Sequence, residues 1–280
     1  MTTVSLAAGA SPGSALWYLS RATGVTTLAL LTVVVLLGVL TQGGHALPGV
    51  PRFVVALVHR NASLLTVSFL IVHVLTSVLD PFAPIRLTDA VIPFTSAYRP
   101  IWLGLGAFAL DLLAAIVITS LLRLRIGRNA FRAVHWLAYA AWPVALVHGL
   151  GTGSDVHQGW LLLLTAACVG AVLIAVLYRV STAATTPQRR ALATAAALLA
   201  PVLLAGWIVT GPLAPGWAAR SGTPPSLLHQ ASSAASAPGN GTTGTTALTT
   251  QRSGDGQAAS GPSADEHGED HVGDHEGEDR

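Results

Sequence analysis

Six apolar runs, near residues 17–41, 53–79, 101–122, 131–150, 159–180 and 190–210, constrain this chain more than any other feature. Each has about the 20 residues that a helix rising about 1.5 Å per residue needs to cross a hydrocarbon layer. In lipid a backbone must satisfy its own hydrogen bonds, and these Leu/Ala/Val runs lack the alternation of barrel strands. They predict an all-α membrane protein, a six-transmembrane-helix bundle. Only 10% of the residues are charged, against about 25% in soluble domains. The first run is not an ordinary cleaved signal peptide, because no positive charge precedes Arg21 and its apolar stretch is too long.

The charge is split along the chain. Residues 1–218 carry twelve Arg against four acids, and 219–280 carry three Arg against nine acids. This divides the chain into three regions: an N-terminal extracytoplasmic segment at 1–16, a membrane domain at 17–218, and a disordered tail at 219–280 ending in SADEHGEDHVGDHEGEDR. The connections after spans one, three and five hold Arg52, then Arg123, Arg125, Arg128 and Arg132, then Arg179, Arg189 and Arg190. The opposite side holds Arg21, Arg86, Arg99 and Arg220. The positive-inside rule puts the first set in the cytoplasm and both termini outside a multi-pass cell-membrane protein. Every basic residue is Arg, so Lys Schiff-base and P-loop chemistry is excluded. The single Cys168, read as a small buried residue, excludes an intrachain disulfide, a Cys-based zinc site and a CxxC redox pair.

Four His fall inside the spans: His59 and His73 on the second, His135 and His148 on the fourth. The steps between them, 14 and 13 residues, rise roughly 21 and 19.5 Å. Spans two and four run parallel, so His59 sits level with His135 and His73 with His148. Facing imidazoles between helices are how a bundle holds a six-coordinate haem b, and two such sites make a bilayer-spanning electron path. Zinc would want three or four ligands at one depth. The phases resist, because 14 residues return to within about 40° of the starting face and 13 land about 140° away. Pro143, between His135 and His148, is the expected place for a distortion.

The segments HRNASLLTVSFLIVH and HWLAYAAWPVALVH resemble the ferric reductase transmembrane domain shared with NADPH oxidases, over about residues 17–180. The resemblance implies two b haems, the inner on His59 and His135 and the outer on His73 and His148. The family's flavin and NADPH domain would come after the fifth span, where this chain has a sixth span and an outward tail. That departure resembles the stand-alone haem subunits, including those that feed periplasmic methionine sulfoxide reductases. The expected role is an oxidoreductase subunit taking electrons from quinol or a separate flavoprotein and passing them to ferric iron or an extracytoplasmic redox protein. Flavin on this chain stays open, with no motif to specify it.

Arg60 and Arg132 adjoin the inner His and are candidates for its haem propionates, or are boundary residues of the positive-inside kind. The connection PFAPIRLTDAVIPFTSAYRP either caps the outer site, with Arg86 or Arg99 near its propionates, or lies on the surface. Asp111, within the third span, either orients a ligand His or relays protons, or bonds a neighbouring helix. Trp136, Tyr139 and Trp142 line the path between sites or are packing residues. GLGTG at 149–153 comes after a helix and lacks a βαβ setting, so it is a helix end giving His148 room and not a nucleotide site. His267, His271 and His275 offer a weak metal site or belong to a solvated tail. The rival function is a proton or metal-ion transporter or channel using the intramembrane His and Asp111. Nucleic acid is not an expected partner, since the Arg lie at membrane edges.

The orientation is tested by C-terminal fusions: alkaline phosphatase should be active and green fluorescent protein dark, and the reverse pair of signals would invert the topology.

Overall fold

The computed structural model describes residues 15–42, 51–182 and 186–236. These form α1 (Ala15–Gln42), α2 (Arg52–Leu79), α3 (Leu87–Val91), α4 (Pro100–Leu121), α5 (Arg123–Ile126), α6 (Arg128–His135), α7 (Ala138–Thr152), a 3-10 turn (Ser154–His157), α8 (Gly159–Thr182), α9 (Pro187–Thr210), α10 (Trp217–Arg220) and α11 (Pro225–Ser236). No strand occurs among the described residues. Five helices, α1, α2, α4, α8 and α9, are long and apolar enough to cross a membrane.

The fourth apolar run is not one helix. It divides into α6 and α7 at Trp136–Leu137. There the backbone tightens to three-residue hydrogen bonds, Leu137 to Val134 at 2.9 Å, Tyr139 to Trp136 at 3.1 Å and Ala140 to Leu137 at 3.0 Å. Such turns advance about 120° per residue in place of about 100°. Three of them recover about 60° of the roughly 140° mismatch between His135 and His148. The distortion therefore precedes Pro143, which lies inside α7.

α1 packs along α2, α4 along α7, and α8 joins α1 to α9. α2 and α7 make no extended contact with each other. The core gathers where α1, α7 and α8 meet, around Leu31, Val35, Trp142, Leu146 and Cys168. A buried hydrogen bond from Trp142 Nε1 to Thr32 Oγ1, 2.9 Å, ties α7 to α1.

The connection from 80 to 99 folds onto the end of the bundle through α3. Its buried Asp89 accepts the Arg86 backbone N–H at 3.0 Å and the Thr95 hydroxyl at 3.4 Å. At the other end Gly127, with φ 82 and ψ 162, separates α5 from α6 in backbone space that essentially only glycine occupies.

Part of the stretch expected to be disordered from 219 is helical. α10 and α11 carry helix as far as Ser236. Two causes are visible: Pro225 fits the first position of a helix in an Ala- and Leu-containing segment, and the Arg99 N–H donates to the Gly222 carbonyl at 3.0 Å. The acidic stretch with His267, His271 and His275 lies outside the described residues.

Thr32→Val leaves the Trp142 N–H unsatisfied and should destabilise the detergent-solubilised protein by about 1 kcal/mol. Thermal unfolding against wild type measures it.

Candidate functional site

α2 and α7 carry His73 and His148, and α2 and α6 carry His59 and His135. The His59 and His135 rings lie 6.3 Å apart, centre to centre, at 67°. The His73 and His148 rings lie 6.4 Å apart at 75°. The pairing by level is thus the pairing in space. A metal bound by both Nε2 atoms at about 2.0 Å would hold the nitrogens about 4 Å apart and, with about 1.1 Å from nitrogen to ring centre, the centroids about 6.2 Å apart. Both observed centroid separations match that spacing. Among the described residues no group of three or more His, Cys, Asp or Glu could hold a metal.

The two pairs are supported differently. His73 donates Nδ1–H to the Ser20 carbonyl of α1 at 2.8 Å, and His148 donates to the Trp102 carbonyl of α4 at 2.8 Å. Each bond fixes the tautomer and leaves Nε2 as the lone-pair nitrogen. The Nδ1 atoms of His59 and His135 are buried with no hydrogen-bond partner among the described residues. Phe131 lies 5.2 Å from His135, with the rings inclined by 31°.

Glycines make room for the rings. A Cβ on Gly24 of α1 would stand 2.9 Å from His73 Cε1, and one on Gly106 of α4 would overlap His148. Gly38 of α1 faces His59 with more space, 3.8 Å. A Cβ on Gly149 would meet nothing within 4 Å, so the glycine beside His148 is Gly106 and not the one in GLGTG.

A cavity of about 280 Å³ surrounds the His73–His148 pair, with Gly24, Gly106, Arg21 and Asp155 on its wall. Arg21 pairs with Asp155 and stacks on Trp17, 4.5 Å from the ring centre. Arg86 and Arg99 do not line this cavity. Arg99 is 5% exposed and is held elsewhere: Nε donates to Thr223 Oγ1 at 2.9 Å and Nη1 to the Thr152 carbonyl at 3.0 Å.

Arg60 and Arg132 are exposed and make no ion pair among the described residues. Asp111 is exposed halfway along α4 and makes no hydrogen bond or ion pair to a neighbouring helix among the described residues. Trp136 is exposed and stacks on Tyr139 at 5.3 Å, whereas Trp142 is buried in the core.

Residues 23–146 match the family described as the ferric reductase like transmembrane component. This stretch runs from α1 through most of α7. It includes His59, His73 and His135 and ends two residues before His148. No curated protein and no solved structure matches the chain.

Gly106→Ala forces His148 aside and should cost about 1–3 kcal/mol, while Gly38→Ala, with ordinary contact distance, should be near neutral. Paired thermal melts separate the two.

Proposed function

We propose that this protein is a six-span cytochrome b that conducts electrons across the cell membrane through two haems. The observation that carries the reading is the pair of 6.3 and 6.4 Å ring separations, held across two helical segments that are packed on other helices. The sixth span is α6 with α7, which together match the fourth apolar run. His59 and His135 hold the inner haem b, and His73 and His148 the outer. Bound haem supplies a one-electron couple.

The chain does the rest. Ser20 and Trp102 lend carbonyls that orient the outer imidazoles, while Gly24 and Gly106 clear the space those rings occupy. The apolar bundle keeps water from the path, and the 14-residue step on α2 sets about 21 Å between levels. Arg60 and Arg132, next to the inner ligands, pair with the propionates there. Arg21, on the wall of the cavity around His73 and His148, is held there by Asp155.

The arginine-rich end is cytoplasmic, which places both termini outside. Downstream of α8 the described residues continue as α9, α10 and α11. In this reading electrons enter from quinol or a separate flavoprotein and leave to ferric iron or an extracytoplasmic redox protein. The ion-path alternative needs Asp111 in line with the His, and its exposed position on α4 favours the electron conduit instead.

A dithionite-reduced minus oxidised spectrum with a pyridine haemochrome count should give two low-spin b haems per chain. His73→Ala or His148→Ala should leave one haem, the inner, and His59→Ala or His135→Ala should leave the outer. Two haems retained in any of these variants would sink the ligand assignment.

A further inference from the structure

Arg99 is a buried cation without an acid among the described residues. Its side chain is 5% exposed, and its contacts are the Thr223 hydroxyl, the Thr152 and Gly151 carbonyls at 3.0 and 3.4 Å, and the Tyr98 ring at 5.5 Å. None of these is anionic. Burying an unpaired charge is expensive, and the backbone holds it at φ 45, the left-handed region that a non-glycine residue seldom adopts. Two unfavourable choices at one position call for a compensating element.

That element is the C-terminus of α7. The last carbonyls of a helix have no partners within it and carry the negative end of its dipole. Arg99 binds two of them, and Trp217 Nε1 donates to the Gly151 carbonyl at 3.1 Å. Thr152 is one helical turn beyond His148, and its hydroxyl donates back to the His148 carbonyl at 2.7 Å. On its own helix Arg99 precedes Trp102, whose carbonyl holds the His148 ring. The Trp102 ring is in turn packed with Trp207 and Trp217, at 5.3 and 5.1 Å. The guanidinium is therefore linked to both chain segments that position the His148 ring, by residues lying largely beyond the family match.

We infer that Arg99 is a tuning and positioning residue for the outer haem: its buried charge, bound by carbonyls and a hydroxyl but by no acid among the described residues, raises that haem's reduction potential. A fixed positive charge in a low-dielectric surround favours the state that has gained an electron. The cavity wall itself carries Arg21, paired with Asp155, and the acids Asp80 and Asp89, which act in the opposite sense, so the Arg99 contribution is read as a difference between variants. The inference rests on the haem reading above, and its test separates the two.

The experiment is an optical redox titration of the purified full-length protein, its two waves assigned with the single-haem His variants. Arg99→Gln should lower the ratio of reduced to oxidised outer haem at fixed ambient potential by about tenfold, about 59 mV for a one-electron couple. Arg99→Lys should keep the wild-type potential. Because Arg99→Gln risks misfolding, Thr223→Asp is the second variant: it sets a carboxylate where the hydroxyl now accepts from Nε and should lower the outer potential with the guanidinium still present. The inner wave should not move in either. An unchanged outer wave in Arg99→Gln or Thr223→Asp, or equal shifts in both waves, overturns the inference while leaving the two-haem function standing. A wild-type protein that binds no haem overturns that function and this inference together.

Discussion

Two imidazoles held 6.3 Å apart inside an apolar bundle need their helices fixed by something other than each other. If α2 and α7 packed directly, side chains would fill the space between them, and close packing leaves few voids. The bundle avoids this by pairing α2 with α1 and α7 with α4, so that each ring-bearing helix has its own backing. The backing helices also supply the glycines and the carbonyls that seat the rings. Packing, ring orientation and the cavity are thus consequences of one arrangement.

The same economy governs charge. The arginines of α5 and α6 face water at one end and need no acids. At the other end the cations are individually accommodated, Arg21 by Asp155 and Arg99 by helix carbonyls. Segments after the family match do much of this work, since Trp217, Gly222 and Thr223 all close on the start of α4 or the end of α7. Among the described residues they add a clasp at the His148 level.

The apolar runs and the depth-matched His are legible in the sequence because both depend on local features: hydropathy over about twenty residues and rise per residue. The fourth run is legible as apolar but not as broken, because the tightened turn at Trp136–Leu137 contains no glycine or proline to announce it. Gly24 and Gly38 escape a reading by hydropathy, although they carry a signal. They stand 14 residues apart, the same step as His59 to His73, as antiparallel partners should. The arginines are harder. Whether Arg21 or Arg99 lines the outer cavity depends on which way a connection folds over the bundle, and Asp111's exposure depends on the rotation of α4 about its axis, neither of which a single helix encodes.

The division of the fourth run gives the two levels different mechanics. On one side the histidines share a single rod, α2, and cannot change their separation. On the other they sit on two levers joined at Trp136–Leu137, the upper one clamped by Arg99 and Trp217 and the lower one flanked by Gly127. His135 and His148 are thus seated on separate helical segments with separate contacts, although they belong to one apolar run.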